Sequence, residues 1–160
     1  MGDTRRIIEV HIDADSLPAL SPEQQHERRV AVFDLLEDNE FSLSEGPSGP
    51  YVLRLSLQDG SRLNWQVELE SGTEALSRAM SLVSLRRVIK DYFLICESYH
   101  NAIRTGTSQQ IEAIDMGRRG LHNEGSRMVE DALRPWAEVD FVTARRLYTL
   151  ICSLHRRSPA

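Results

Sequence analysis

The sequence predicts an α+β protein, with an N-terminal strand and helix, an antiparallel meander of two or three strands, and a helical C-terminal half. Three observations carry this reading. Strict alternation of apolar and polar residues occurs in three stretches, all before residue 70. Beyond residue 83 the apolar residues recur instead at helical spacing. The Gly and Pro punctuation forms short turn clusters, with no low-complexity linker between the two halves. A chain of 160 residues fits one domain over 1–160, with a strand-rich part at 1–82 and a helical part at 83–160. At this length folding buries about 70% of the surface the extended chain exposes, so the core needs no covalent staple.

Ile8, Val10 and Ile12 alternate with Glu9 and His11, the period of a half-buried strand that Pro18 closes. Ser21-Pro22-Glu23-Gln24 then supplies a capping serine, a proline at the first helical position and a glutamine at the third. Val30, Phe33 and Leu36 follow at helical spacing, so a helix is expected over about 22–39 with those residues inward. Gly46-Pro47-Ser48-Gly49-Pro50 is a loop. Around Asp59-Gly60, residues 52–57 and 63–69 alternate cleanly and predict a hairpin, with Leu53, Leu55, Leu57, Trp65, Val67 and Leu69 on one core face.

Residues 75–82 suit either a helix or a strand, and a third meander strand is the favoured reading. Ser84 is placed to cap a helix whose Leu85, Val88, Ile89, Tyr92, Cys96, Tyr99 and Ile103 share a narrow arc. Leu94 lies on the opposite side, which predicts a central helix covered on more than one face. Gly106 breaks it, and Thr107 or Ser108 starts another that runs to about Leu133, before Pro135. Asp140 or Thr143 opens a last helix, with Ala144, Leu147, Tyr148, Ile151 and Leu154 on one face and Arg145, Arg146 and Arg156 opposite.

Charge is distributed unevenly within a formal net of -5. Residues 1–80 carry 7 basic and 15 acidic side chains, residues 81–160 carry 12 and 9, so the helical half is mildly basic. This falls short of the concentrated basic stripe of a nucleic-acid binder, and nucleic acid is not the expected partner. Eighteen of the nineteen basic residues are arginine, and six Arg-Arg doublets recur, but helical neighbours point about 100° apart and make no clamp. No window approaches 18 apolar residues and the first six residues lack a secretory apolar region, so a cytoplasmic protein with no membrane contact is expected. Two cysteines, Cys96 and Cys152, are too few for a disulfide framework and sit in apolar helical stretches, as buried free thiols do.

The stretch that could carry chemistry is Ile111 to Gly125. Gly117, Gly120 and Gly125 stand inside a helical pattern at a cost of roughly 1 kcal/mol each against alanine, which predicts close backbone approach by a neighbouring helix or a ligand. With Ile111 at 0° on a helical wheel, Ile114, Leu121, Met128 and Ala132 define a buried stripe between about 260° and 300°. Glu112, Arg119 and Ser126 define the exposed one. Asp115, Arg118 and His122 fall at the rim, and their spacing lets Asp115 reach Arg118 and Arg119 while Arg118 reaches His122.

That cluster has two readings. In one, Arg118 and Arg119, with Asn123 and Glu124 beside them, form an anion site in which Asp115 or His122 moves a proton. In the other, the carboxylate and guanidinium hold the helix to its neighbours and His122 is bonded at the boundary. Asn123-Glu124-Gly125 fits a kink that would free backbone donors, or one continuous helix, equally well. No metal site is expected, because His122, Glu112, Asp115 and Glu124 lack zinc-type spacing. No cofactor is expected, since there is no dinucleotide or Walker fingerprint, and no Gly-x-Ser-x-Gly elbow marks a nucleophile.

The chain resembles a bacterial family known mainly from alphaproteobacteria, numbered two hundred and sixty-two in the uncharacterised protein family (UPF) series. The resemblance runs almost end to end. It rests on His26-Glu27-Arg28, Gly49-Pro50-Tyr51, Ile89-Lys90-Asp91-Tyr92, all of Ile111 to Ser126, Thr143-Ala144-Arg145-Arg146-Leu147, Leu150-Ile151-Cys152 and Leu154-His155. It implies a cytoplasmic setting, and it assigns no catalytic residue because the family carries no assigned activity. Arg134-Pro135-Trp136 departs from the glycine-lysine loop of the family pattern. The leading functional expectation is a non-enzymatic interaction or regulatory protein, binding a protein partner or a second copy through the basic helical half. An enzyme or binding protein for an anionic small molecule is the runner-up, and a weak nucleic-acid binder ranks third.

Overall fold

The computed structural model describes residues 3–157. Its elements run β1 (Ile7–Ile12), α1 (Pro22–Glu37), β2 (Phe41–Leu43), β3 (Tyr51–Gln58), β4 (Arg62–Leu69), β5 (Glu74–Ser81), α2 (Val83–Thr105), α3 (Ser108–Leu133), β6 (Ala137–Val139) and α4 (Phe141–Cys152). The fold is α+β, as the periodicities predict.

One sheet has the order β1-β3-β4-β5. The β3–β4 hairpin pairs Leu55 with Trp65 and Leu57 with Leu63. Its turn closes by the Ser61 N–H bonding Gln58 O at 3.1 Å, with Asp59 and Gly60 both at positive φ, 54° and 65°. That is the conformation whose twist matches the flanking strands, and Asp-Gly adopts it readily. β5 is the favoured third meander strand, pairing Met80 with Leu63. β1 joins the far side in parallel, Val10 beside Leu53 and Ile12 beside Leu55. A parallel neighbour requires a crossover, which α1 and β2 supply.

The sheet's inner face, with Leu53, Leu55, Leu63, Trp65 and Val67, packs against helix residues that include Leu35, Leu85, Ile89, Leu133, Leu147 and Ile151. All are nearly or fully removed from solvent. Asn39 ties α1 to β1, its carboxamide accepting from Ile7 N–H at 2.8 Å and donating to the carbonyls of Ile7 and Leu35. Such a buried amide is tolerated because its polar atoms are bonded.

Several expected faces are revised. On α1 the inward residues are Gln24, Ala31 and Leu35, while Val30 and Phe33 are exposed, Phe33 to 66%. This helix is so heavily charged that tertiary ties, including Arg146 Nη1 to the carbonyls of Asp34 and Asp38, select its orientation. Helix α2 starts one residue before Ser84. Leu82 occupies the cap position, fully buried with its N–H on Ser61 O at 2.8 Å, and the Ser81 hydroxyl accepts from Val83 N–H. Core burial of Leu82 outweighs a side-chain cap. Leu94 is 55% exposed and Ile103 52%, so α2 is uncovered on its far side and at its last turn.

The segment Asn123-Glu124-Gly125 lies within one continuous α3. A short second sheet, absent from the sequence expectation, pairs β2 with β6, Ser42 opposite Glu138. Both strands have three residues, too few for a period to register. Trp136 just before β6 stacks edge-on against Trp65 and Phe41, with centroids 5.7 and 6.4 Å apart, so the Arg134-Pro135-Trp136 departure supplies a core aromatic.

Candidate functional site

Thr107 opens α3 with a complete capping box, its hydroxyl accepting from Gln110 N–H and the Gln110 side chain accepting from Thr107 N–H. The helix lies against α2 and α4. Its most buried residues are Gly125, Ser126, Val129 and Leu133. This line continues through His122, Arg118 and Asp115, so the buried direction is rotated from the expected stripe. Ala132 is exposed, whereas Ser126, expected outside, is fully buried. Asp115, Arg118 and His122 therefore sit on the face that meets the other helices, and Arg119 points away from it.

Gly125 is the pivot of that packing. A Cβ there would overlap the Tyr148 ring of α4, so the glycine is required by a neighbouring helix. Gly117 faces the Ile95 side-chain end, which can move. Nothing in the structure explains Gly120, beside which the space is open.

Asp115 engages both arginines. Its Oδ1 lies 2.5 Å from Arg118 Nη2 and its Oδ2 3.0 Å from Arg119 Nη2. Arg118 also lies over the Tyr99 ring of α2, 4.1 Å from the centroid, and Asp115 raises its pKa against the opposing effect of burial. Arg119 is largely exposed, its side chain at 72%. Glu124 is exposed, and Asn123 is half-buried with an unpartnered Oδ1.

His122 stands between Tyr92 of α2 and Tyr148 of α4, its ring edge-on to both at 5.4 and 5.1 Å. Its Nε2 is 2.8 Å from Thr149 Oγ1, and that hydroxyl donates to Arg145 O at 3.0 Å. With its proton so committed, the threonine accepts, which assigns the Nε2–H tautomer. Burial, then Arg145 and Arg118, push the His122 pKa down to about 4. Burial likewise pushes Tyr92 and Tyr148 up and holds the Cys152 thiol at about 12, so these groups are neutral and protonated near pH 7.

The structure thus brings together Asp115, Arg118 and Arg119, gives His122 to Thr149 and the two tyrosine rings instead, and leaves Glu124 outside. What it adds to the sequence reading is the partners Tyr92, Tyr99, Tyr148 and Thr149, which only tertiary packing could supply. Among the described residues, no group of three or more His, Cys, Asp or Glu side chains is placed to hold a metal ion.

The larger feature lies on the uncovered side of α2. A groove of about 720 Å³ runs along α2 from Arg86 to Asn101 and is bounded across from it by His155–Arg157. Half-buried Phe93 and exposed Leu94 supply its apolar surface above the buried Ile89, and Arg86, Lys90 and Arg156 its basic rim, with Glu97 the acidic member of the lining. Arg157 is paired with Glu27 of α1, and Arg86 donates to Gly60 O. Among the described residues no ion pair engages Lys90 or Arg156. Two further depressions, of about 270 and 630 Å³, lie beside the 42–48 loop and on the outer sheet face. None of the three is lined by the Asp115 cluster. The signal for the groove in the sequence was Leu94, off the arc of its own helix.

A family model described as "Uncharacterised protein family (UPF0262)" matches residues 4–157. The chain is 51% identical over 153 residues to a UPF0262 protein from Brucella anthropi, covering 95% of this chain and 94% of the relative. It is 52% identical over 150 residues to a UPF0262 protein from Hyphomonas neptunium, covering 94% and 92%. No solved structure matches it.

Proposed function

The chain belongs to the uncharacterised protein family UPF0262, and from that premise we propose that it acts without catalysis, as a cytoplasmic interaction protein holding a protein partner on its basic helical half. The observation that carries this reading is the α2 groove, where exposed Leu94 and half-buried Phe93 lie beside Lys90 and Arg156, which no ion pair among the described residues engages. Contiguous exposed apolar patches rimmed by polar residues mark interaction sites and binding grooves.

The use made of the polar cluster supports the same reading. An incoming anion would have to compete with Asp115 for both arginines, and Arg118 would also have to leave Tyr99. A neutral His122 bonded to Thr149 is not poised to accept a substrate proton. The cluster is better suited to joining α3 to α2 and α4 than to turning over a metabolite.

The test is retrieval from native lysate on immobilised full-length protein, wild type against the double variant Lys90→Glu/Leu94→Glu. A stoichiometric partner, or a second copy, should be held by the wild type and lost by the variant. Retention of nothing, or equal retention by both, would count against the proposal.

A further inference from the structure

We infer that the occupant of the α2 groove is an acidic amphipathic helix of the protein partner. It lays apolar side chains over Phe93 and Leu94 and acidic ones against Lys90 and Arg156. This rests on the groove being the interaction surface, and it specifies the chemistry of what binds there.

The form of the occupant follows from the groove walls. Helix α2 uses its backbone groups internally, and the His155 N–H and C=O are taken by Cys152 O and by Gln24 Nε2 at 3.1 and 2.9 Å. An extended peptide would find no row of donors and acceptors to pair with, so strand addition has no template here. A segment that satisfies its own backbone does not need one, and a helix is the peptide form that does. Length agrees. The lining along α2 from Arg86 to Asn101 spans about 22 Å at 1.5 Å per residue, or four turns of a partner helix.

The charge of the occupant follows from the rim. Lys90 stands one turn before Leu94 on the same helix, and Arg156 is contributed by the opposite wall, so cations flank the apolar strip on two sides. This patch belongs to a chain of net charge -5, which makes it a local contrast capable of steering an acidic segment. One helix in one groove buries less than a standard interface, so the affinity expected is micromolar.

The experiment uses two fluorescein-labelled, hydrocarbon-stapled 16-residue peptides with leucines repeating at i, i+3, i+4 and i+7. One carries glutamate at its remaining positions and the other lysine. Anisotropy against the full chain should show the glutamate peptide binding at least tenfold more tightly in low salt, with the advantage shrinking at 0.5 M salt. Leu94→Glu should weaken it at least tenfold, and Lys90→Glu/Arg156→Glu should reverse the preference. All three positions are exposed, so unchanged melting temperatures will show that the variants fold.

Equal binding of the two peptides, no binding of either, or indifference to these variants would overturn the inference. A photo-crosslinker placed by Leu94→p-benzoylphenylalanine in living cells separates this from the broader reading. A crosslink to an acidic helical segment of a partner supports the inference. A crosslink to a basic or extended protein segment overturns it and leaves the groove as the interaction surface, whereas a crosslink to lipid, or none, removes both.

Discussion

His122 is held neutral by tyrosine rings on two sides and by a threonine whose own proton is spent elsewhere, and this has a consequence for stability. The folded chain resists protonating a ring whose pKa is near 4, while the unfolded chain protonates it near the ordinary value of 6.5. The contribution is therefore complete above about pH 6.5 and is lost as the pH falls from there towards 4. The loss should be about 1–2 kcal/mol, below what the full shift implies, because the ring is partly exposed and solvent screens it. Thermal melts from pH 7 to 4.5 should show a shallower decline for His122→Gln. The decline should not vanish, since burial also lowers the pKa of His155.

The arginines differ in the same way that their surroundings do. Arg118→Ala removes an ion pair and a contact with the Tyr99 ring, and should cost about 1–2 kcal/mol in chemical denaturation. Arg119→Ala, at a solvent-facing position, should stay within about 0.5 kcal/mol. No phosphorylated or carboxylated metabolite should raise the melting temperature of the wild type. One present at 100 times its dissociation constant would stabilise by about 2.7 kcal/mol and be plainly visible, which would favour the anion-site reading.

At the scale of elements, the glycines of α3 provide a paired test. Gly125→Ala forces a methyl group against the Tyr148 ring and should destabilise by about 1–3 kcal/mol. Gly120→Ala meets open space within a continuous helix and should stabilise by up to about 1 kcal/mol. Urea unfolding of both variants checks the opposite signs. A ligand-binding role for Gly120, by contrast, would show as lost function without lost stability.

The elements themselves were legible where a repeating pattern was long enough to define a face. Alternation around Asp59-Gly60 specified the hairpin, and Ser21 and Thr107 marked helix starts that the structure places there. The orientation of α1 was not legible, because its apolar residues are sparse and the contacts that orient it come from α4. The cluster of α3 was legible as a set of residues, since i, i+3 and i+4 spacing brings Asp115 to both arginines whatever surrounds them. Which side of α3 faces inward was not, because Ser126 and Gly125 do not announce burial by hydropathy.

For the whole molecule, we propose that residues 3–157 form one cooperative unit. Strand β1 is tied to β3 at the edge of the larger sheet, and the β2–β6 pair joins the N-terminal part to the C-terminal part. Trp65 and Trp136 stack on each other across those parts, so tryptophan fluorescence reports their separation. Urea unfolding followed by fluorescence and by far-ultraviolet circular dichroism should give coincident transitions. Separate midpoints would divide the strand-rich and helical parts into independent units.

Periodicity and local chemistry by themselves determined the α+β class, the order of the main elements and the spacing that brings Asp115 to both arginines, while the family was marked by a resemblance of whole motifs. These depend on interactions within a few positions along the chain, which a sequence displays directly. Tertiary structure alone decided that β1 runs parallel to β3, that α3 sets His122 between two tyrosines, and that the far side of α2 is left bare beside Arg156. Each of these depends on which distant segment arrives to cover a surface, and no local pattern of residues records that arrival.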